Sequence, residues 1–230
     1  LLGQGVVAKF DPATYSDAIA FARIGEGSLG GKARGLAFMN SMLVKYCQYA
    51  KYENVRVTIP RTVVVATDYF DAFIRNNGLE YVLTTEMTDE EILSEFVSST
   101  LPYKLREALK AYVRTVSGPL AVRSSSKLED SHYQPFAGIY STYMIPYTEG
   151  NEDRQLRLLQ KAIKSVYAST YFAASKAYVQ SSQNLIAEEK MAVVIQEVCG
   201  TEQDGLFFPT LSGVARSINY YPIGDETPEE

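Results

Sequence analysis

The chain has 230 residues, of which 46% are hydrophobic and 21% charged, with a formal net charge of −5 and an isoelectric point near 5.1. This composition predicts a globular protein with a substantial core and excludes the disordered class. The acidic balance and the lack of any apolar run near the roughly 20 residues of a membrane span predict neither a nucleic-acid nor a membrane partner. Two distant cysteines, Cys47 and Cys199, form neither a metal-binding pattern nor a disulfide framework, which favours a cytoplasmic setting.

The first part of the chain is predicted to be a lead-in segment over residues 1–24, amphipathic from Tyr15 to Ile24. A glycine-dense loop, residues 25–32, then runs into a helical pattern. One face of that helix carries apolar residues at spacings of three and four, namely Leu36, Met39, Met42 and Leu43. The segment from Val55 to Thr67 is predicted to form two short strands around Ile59-Pro60.

Three helices are predicted next. Asp68 caps the first, whose apolar face carries Phe70, Phe73 and Ile74. The run Thr88-Asp89-Glu90-Glu91 is typical of a capping box and opens the second helix. Apolar spacing from Leu105 to Val113 predicts the third, which Gly118-Pro119 stops.

The rest of the chain alternates between strands and one long helix. That helix is predicted from Asp153 to Ser181, and the strands are predicted at residues 120–123, 139–145, 191–198 and 214–220. Residues 25–220 are expected to form one domain, followed by an acidic tail over residues 221–230. The alternation of helices and strands predicts an α+β fold built of α/β layers.

The glycine loop ends in Gly30-Gly31-Lys32 where the helix begins. Glycines let the backbone approach a phosphate, N–H groups at a helix start favour an anion, and lysine can reach phosphate oxygens. The spacing differs from a Walker A loop, because Ala33 follows the lysine. A glycine-rich turn with a solvated lysine is the alternative interpretation.

The strand Ala121-Val122-Arg123 ends in three serines, Ser124-Ser125-Ser126, and Glu129-Asp130 follow. An arginine at a strand end suits bidentate contact with phosphate, and the hydroxyls add hydrogen-bonding groups. The alternative is a structural ion pair between Arg123 and one of the two carboxylates.

Two weaker patterns follow. Phe136-Ala137-Gly138 suggests a loop that closes over a ligand, with an ordinary turn as the alternative. The apolar strand that ends in Gln196-Glu197-Val198 is able to present polar groups and backbone to an adenine edge, with a plain core strand as the alternative.

Taken in order, these segments resemble the N-terminal ATP-binding domain of the phosphoenolpyruvate synthase and pyruvate phosphate dikinase family. Three more segments fit that pattern: Ile59-Pro60-Arg61-Thr62, Ala168-Ser169 and Ser212-Gly213-Val214. The resemblance covers about residues 25–220 and implies an ATP-grasp-like nucleotide-binding domain, C-terminally truncated. It implies that Lys32 and Arg123 act on the ATP phosphates, beside Gly30, Gly31 and Ser124. Gly138 and Thr142 would lie in the loop over the phosphates. The residues that would face adenine are Gln196, Glu197 and Val198.

The resemblance also implies that the intact protein passes a phosphoryl group from ATP to a histidine on another domain and then to pyruvate. The Mg²⁺ ligands, that histidine and the pyruvate-binding domain are expected beyond residue 230, so the chain alone is expected to be inactive, and a homodimer is left open. One alternative is a related dikinase that acts on glucan, water or an antibiotic. Another is a regulatory module without turnover, since Ile139-Tyr140 stand where the family usually has a Gln pair.

Overall fold

The computed structural model describes residues 7–16, 18–46, 53–126, 140–181, 190–215 and 217–218. The chain divides into two compact units, Leu1–Val198 and Cys199–Glu230. In chain order the first unit contains β1 (Ala8–Lys9), β2 (Phe21–Ile24), α1 (Gly30–Tyr46), β3 (Thr62–Val65), α2 (Thr67–Asn77), a 3₁₀ turn (Leu79–Leu83), α3 (Asp89–Ser98), α4 (Tyr103–Val113), β4 (Leu120–Ser125), β5 (Thr142–Ile145), α5 (Glu152–Ser169), α6 (Ala173–Ser181) and β6 (Ala192–Glu197).

The first unit is organised around a six-stranded mixed sheet with the strand order β1-β2-β3-β6-β4-β5. Strands β1, β2 and β3 pair in parallel, β6 is antiparallel to both β3 and β4, and β5 is antiparallel to β4. The carboxyl ends of β2, β3 and β4 therefore meet at one edge of the sheet, together with the start of β6.

Side chains alternate between the two faces of the sheet, as strand geometry requires. On one face, Val63, Val65, Val122 and Ile195 pack with the apolar sides of α2, α3, α4 and α5 in the larger core. On the other face, Phe21, Val64, Ala192 and Val194 pack with Ala33 of α1 in a smaller core. A mixed α/β layer architecture, as expected from the sequence, is confirmed.

Several local predictions are confirmed as well. The capping box of α3 is present: the Thr88 hydroxyl accepts the Glu91 N–H at 3.2 Å, and the Glu91 carboxylate accepts the Thr88 N–H at 2.8 Å. Helix α4 and strands β4 and β6 fall where apolar spacing predicts them. On the apolar face predicted for α1, Leu36 and Leu43 pack on the smaller core, whereas Met39 and Met42 are exposed.

The sheet begins earlier in the chain than expected. Strands β1 and β2 come from the segment 1–24 that was predicted to be a lead-in, and Ala22 and Ile24 of β2 are buried in the larger core. Between Val55 and Thr67, the structure has a single strand, β3, rather than two. Pro60 has no N–H to donate to a ladder, and the chain becomes a strand only after it.

The long helix predicted over 153–181 is interrupted at residues 170–172 and continues as α6. In a continuous helix the Ala173 N–H would bond to the carbonyl of residue 169. Instead the Ala173 N–H donates to the Asp89 carboxylate at 2.8 Å, and the Ser175 hydroxyl donates to the Ser169 carbonyl at 2.6 Å. Asp89, the first residue of α3, thus caps the start of α6.

The second unit contains a hairpin of β7 (Thr201–Gln203) and β8 (Leu206–Phe208). Its turn residues Asp204 and Gly205 have φ of 52° and 78°, the backbone of a type I′ turn. The strand predicted over 214–220 is wrong for its described residues, none of which is in a strand, and Val214 is 83% exposed. Among the residues that the structure describes, no helix is long and apolar enough to cross a membrane.

Candidate functional site

The first turn of α1 docks on the carboxyl end of β4 through backbone and serine hydrogen bonds. The Gly31 N–H donates to the Ser126 carbonyl at 2.9 Å, and the Ala33 N–H donates to the Ser125 hydroxyl at 3.1 Å. The same Ser125 hydroxyl donates to the Leu29 carbonyl at 2.8 Å. These bonds fix the start of α1, and with it Lys32, against the strand that carries Arg123.

Lys32 itself reaches the same strand. Its Nζ donates to the Ser124 hydroxyl at 3.1 Å, across 92 residues of sequence, and the Ser124 side chain is buried. Lys32 is half-buried. Two cationic side chains from distant segments, Lys32 and Arg123, therefore lie at the same end of β4.

The Arg123 guanidinium is held by a neutral amide. Its Nη1 donates to Gln196 Oε1 at 3.2 Å, and Gln196 Nε2 in turn donates to the Thr62 hydroxyl at 3.2 Å. This row of hydrogen-bonded side chains, Arg123, Gln196 and Thr62, crosses the three neighbouring strands β4, β6 and β3. The carboxylates of the alternative interpretation, Glu129 and Asp130, lie outside the described residues, so the structural ion pair with Arg123 stays untested.

This face of the sheet is open toward β5. Arg123 lies in register with Thr142 and Ala121 with Met144, so all four side chains share one face. Thr142 is exposed, and Met144 is 62% exposed. This face thus combines the Arg123 cation with an exposed hydroxyl and an apolar side chain, whereas Ser124, which accepts the bond from Lys32, pairs with Val193 and points to the other face.

The glycine at the start of α1 serves close packing on β4. Gly30 has φ of 70°, and a Cβ there would lie 1.9 Å from the Ser125 carbonyl oxygen. The N–H groups of Gly31 and Ala33, which we expected to be available to an anion, instead donate to Ser126 and Ser125. The helix start therefore contributes position, and the lysine side chain supplies the charge.

The three residues expected at adenine do not converge. Gln196 lies on the face of Arg123, whereas Glu197 points to the other face and contacts Arg61 at 3.2 Å. The Glu197 N–H donates to the Arg61 carbonyl at 3.0 Å, and the Val198 N–H donates to the Pro119 carbonyl at 2.9 Å. The structure brings Gln196 to the Lys32–Arg123 group and uses Glu197 and Val198 in internal contacts.

The other residues singled out in the sequence lie either outside the described residues or within the sheet and the core. Gly138 and the rest of Phe136-Ala137-Gly138 lie outside the described residues. Thr142 is the first residue of β5 rather than part of a loop. Tyr140, one of the two departures from the family pattern, is buried in the larger core.

The contacts that three residues make at this site were not predicted from the sequence. Ser125 was part of the recognised serine run, but its double hydrogen bond depends on a contact with α1 that the sequence does not reveal. Thr62 belongs to the segment Ile59-Pro60-Arg61-Thr62 that fits the family pattern, but its hydrogen bond with Gln196 depends on the pairing of β3 with β6. Asp68 was interpreted as a helix cap, yet its carboxylate accepts the N–H groups of Glu26 and Gly27.

No group of three or more His, Cys, Asp or Glu side chains that could hold a metal ion occurs within the described ranges.

The chain is similar in sequence to one protein family and to two named relatives. Residues 26–228 match the model of the family described as "Pyruvate phosphate dikinase, AMP/ATP-binding domain". The chain is 31% identical over 157 residues to the uncharacterized phosphotransferase YvkC of Bacillus subtilis, covering 65% of this chain and 17% of that protein. It is 29% identical over 202 residues to a phosphoenolpyruvate synthase of Aeropyrum pernix, covering 78% of this chain and 22% of that protein. The chain thus spans about a fifth of the length of these relatives.

Proposed function

Because the chain belongs to the family of pyruvate phosphate dikinase AMP/ATP-binding domains, we propose that Lys32 and Arg123 bind the phosphates of ATP at the end of β4. The observation that carries the proposal is the 3.1 Å contact between Lys32 Nζ and the hydroxyl of Ser124, the residue after Arg123, which brings the lysine to the end of β4 that carries Arg123. The relatives, which are named a phosphotransferase and a phosphoenolpyruvate synthase, support a role of this chain in phosphoryl transfer.

The donor set fits a polyphosphate. Arginine has five N–H donors in a fixed fork, and the contact with Gln196 uses the Nη1 end of the Arg123 guanidinium. Lysine adds a mobile point charge with three donors, and the exposed Thr142 adds a hydroxyl on the face of Arg123. A local pair of cations is able to attract an anion even though the chain carries a net charge of −5.

The role of Lys32 and Arg123 follows from the chemistry of phosphoryl transfer, which depends on positioning and charge stabilisation. Both cations would orient the phosphates and stabilise the negative charge that shifts between oxygens. Mg²⁺, when bound, would neutralise further charge on the phosphates. We further propose that the intact protein uses an ATP-grasp-like site, passing a phosphoryl group to a histidine of another domain and then to pyruvate.

ATP titration of single variants tests the proposal. Lys32→Ala and Arg123→Ala should each weaken ATP binding about 10- to 100-fold, since a charge-assisted hydrogen bond contributes roughly 1.5–3 kcal/mol. Lys45→Ala is the control for Lys32, because Lys45 lies in the last turn of the same helix. Arg114→Ala is the control for Arg123, because Arg114 forms an exposed pair with Glu152.

The outcomes separate binding from folding. The proposal requires that the two site variants keep the wild-type melting temperature while the controls keep the wild-type ATP affinity. Adenosine, which lacks phosphates, should bind all five proteins equally. If Lys32→Ala and Arg123→Ala bind ATP as well as their controls do, the phosphate site lies elsewhere.

A further inference from the structure

The loop before α1 crosses the edge of the sheet from the end of β2 to the end of β4, and the first turn of α2 supports it midway. The Asp68 carboxylate accepts the Glu26 N–H at 3.1 Å and the Gly27 N–H at 3.0 Å. The Thr67 hydroxyl accepts the Ser28 N–H at 2.9 Å, and the Thr67 N–H donates to the Ser28 carbonyl at 3.0 Å. Three successive N–H groups of the loop are thus bound by two adjacent residues of α2.

Close packing on Asp68 explains why this part of the loop contains glycines. A Cβ at Gly25, whose φ is 98°, would lie 2.5 Å from the Asp68 carboxylate. A Cβ at Gly27 would lie 2.5 Å from the Asp68 backbone nitrogen. The loop lies so close to α2 that only glycine fits at both positions.

The side of the loop toward β1 and β2 is anchored by charge. Glu26 contacts Lys9 at 2.9 Å and Arg23 at 2.6 Å. The hydrogen bond from Lys9 and the charges of Arg23 and Lys9 lower the pKa of Glu26. Glu26 is therefore bound through its backbone by Asp68 and through its side chain by Lys9 and Arg23.

Asp68 does not cap its own helix. The cap position of α2 is Ala66, which makes no side-chain hydrogen bond, and the Asp68 carboxylate turns toward the loop instead. A carboxylate suits this place because it only accepts hydrogen bonds and offers two oxygens to two neighbouring N–H groups. An asparagine of the same shape would supply one acceptor and place an NH₂ group against the second N–H.

We propose that Asp68 is a positioning residue for the phosphate site. Its carboxylate fixes the glycine loop, the loop sets where α1 begins, and the start of α1 presents Lys32 to the end of β4. This inference rests on the proposed function of Lys32 and Arg123, whereas the hold of Asp68 on the loop is independent of any ligand.

Asp68→Asn tests the inference, with Asp71→Asn as the matched control. Asp71 lies one turn further along α2 and contacts Lys190 at 2.5 Å, so both changes remove one negative charge from the same helix. Amide hydrogen exchange of Glu26 and Gly27 is measured in the three proteins, together with ATP affinity and melting temperature.

Asp68→Asn should speed exchange at Glu26 and Gly27 about tenfold or more and weaken ATP binding about tenfold, and Asp71→Asn should do neither. Unchanged loop exchange in Asp68→Asn overturns the inference. So does an ATP affinity equal to that of Asp71→Asn, or a tighter affinity, which would mean that the carboxylate occupies N–H groups that ATP itself uses. If the wild-type chain binds no ATP, the proposed function fails, while the exchange comparison still decides whether Asp68 fixes the loop.

Discussion

At the scale of single residues, the environment of Arg123 determines how much positive charge the site presents. Gln196 Oε1 lies 3.2 Å from the guanidinium and leaves its charge intact. Gln196→Glu would place a carboxylate at that position and neutralise the arginine, while Gln196→Leu would only remove a hydrogen bond. We expect Gln196→Glu to weaken ATP binding more than Gln196→Leu, as measured by ATP titration, with little loss of melting temperature. Equal ATP affinity of Gln196→Glu and wild type would contradict the role of Arg123.

For a substitution at Glu197 we expect a loss of stability rather than a loss of ATP affinity. Its carboxylate contacts Arg61 on the other face of the sheet, where both side chains are largely buried. Glu197→Gln would leave the Arg61 charge poorly compensated and should lower the free energy of unfolding by about 1–3 kcal/mol in denaturant titrations. ATP affinity should not change. A loss of ATP affinity without a loss of stability would instead support the adenine contact that the family resemblance implies.

The sequence carried the residue types of the site but not all of their partners. Arginine at the end of an apolar strand and lysine after two glycines both indicated an anion, and the structure places these two side chains at one strand end. The role of Asp68 could not be predicted, because an acidic residue in the first turn of a helix is equally typical of a cap. The choice depends on where a loop about 40 residues earlier lies.

At the scale of elements, the junction between α1 and β4 is the contact on which the site depends. Ser125→Ala removes a hydroxyl that bonds both Leu29 and Ala33, so α1 should shift and ATP affinity should fall. Ser169→Ala is the control, because Ser169 is fully buried in α5 and donates to the Val166 carbonyl at 2.7 Å. Both variants should lose about 1–3 kcal/mol of stability.

Only the ATP titration should distinguish these two serine variants. If Ser125→Ala loses stability as Ser169→Ala does but binds ATP like wild type, the junction has no part in placing Lys32.

Elements set by local chemistry were predictable, and elements set by distant contacts were not. The capping box at Thr88 and the apolar spacing of α4 need only nearby residues. The interruption between α5 and α6 depends on Asp89, which is 84 positions away from Ala173. The β7–β8 hairpin did have a local signal, the Asp204-Gly205 turn, which the apolar pattern of its short strands did not reveal.

At the scale of the whole molecule, the chain carries a net charge of −5, so local positive charges such as Lys32 and Arg123 must attract an anionic ligand. ATP affinity should fall as NaCl rises from about 0.05 to about 0.3 M, because the screening length shortens over that range. The dependence on salt should be weaker in Lys32→Ala than in wild type, since one of the attracting charges is gone. Equal salt dependence in the two proteins, measured by calorimetry, would show that Lys32 does not contribute to attraction.

Helices and strands in alternation predicted a layered α/β fold, but not the order of the strands. Strand β6 comes last in the first unit and lies between β3 and β4, so its pairing joins residues about 70 to 130 positions apart. Strands β1 and β2 join the sheet through parallel pairing, which gives no short hairpin signal in the sequence. The placement of Arg123, Gln196 and Thr62 in one row follows from this order.

An experimental structure of the chain with a non-hydrolysable ATP analogue would show which side chains bind the phosphates. We expect phosphate oxygens within hydrogen-bond distance, about 2.7–3.2 Å, of Lys32 Nζ and of the Arg123 guanidinium, on the face of the sheet that also carries Gln196 and Thr142. A nucleotide whose phosphates contact neither side chain, or that lies on the Glu197 face, would contradict it.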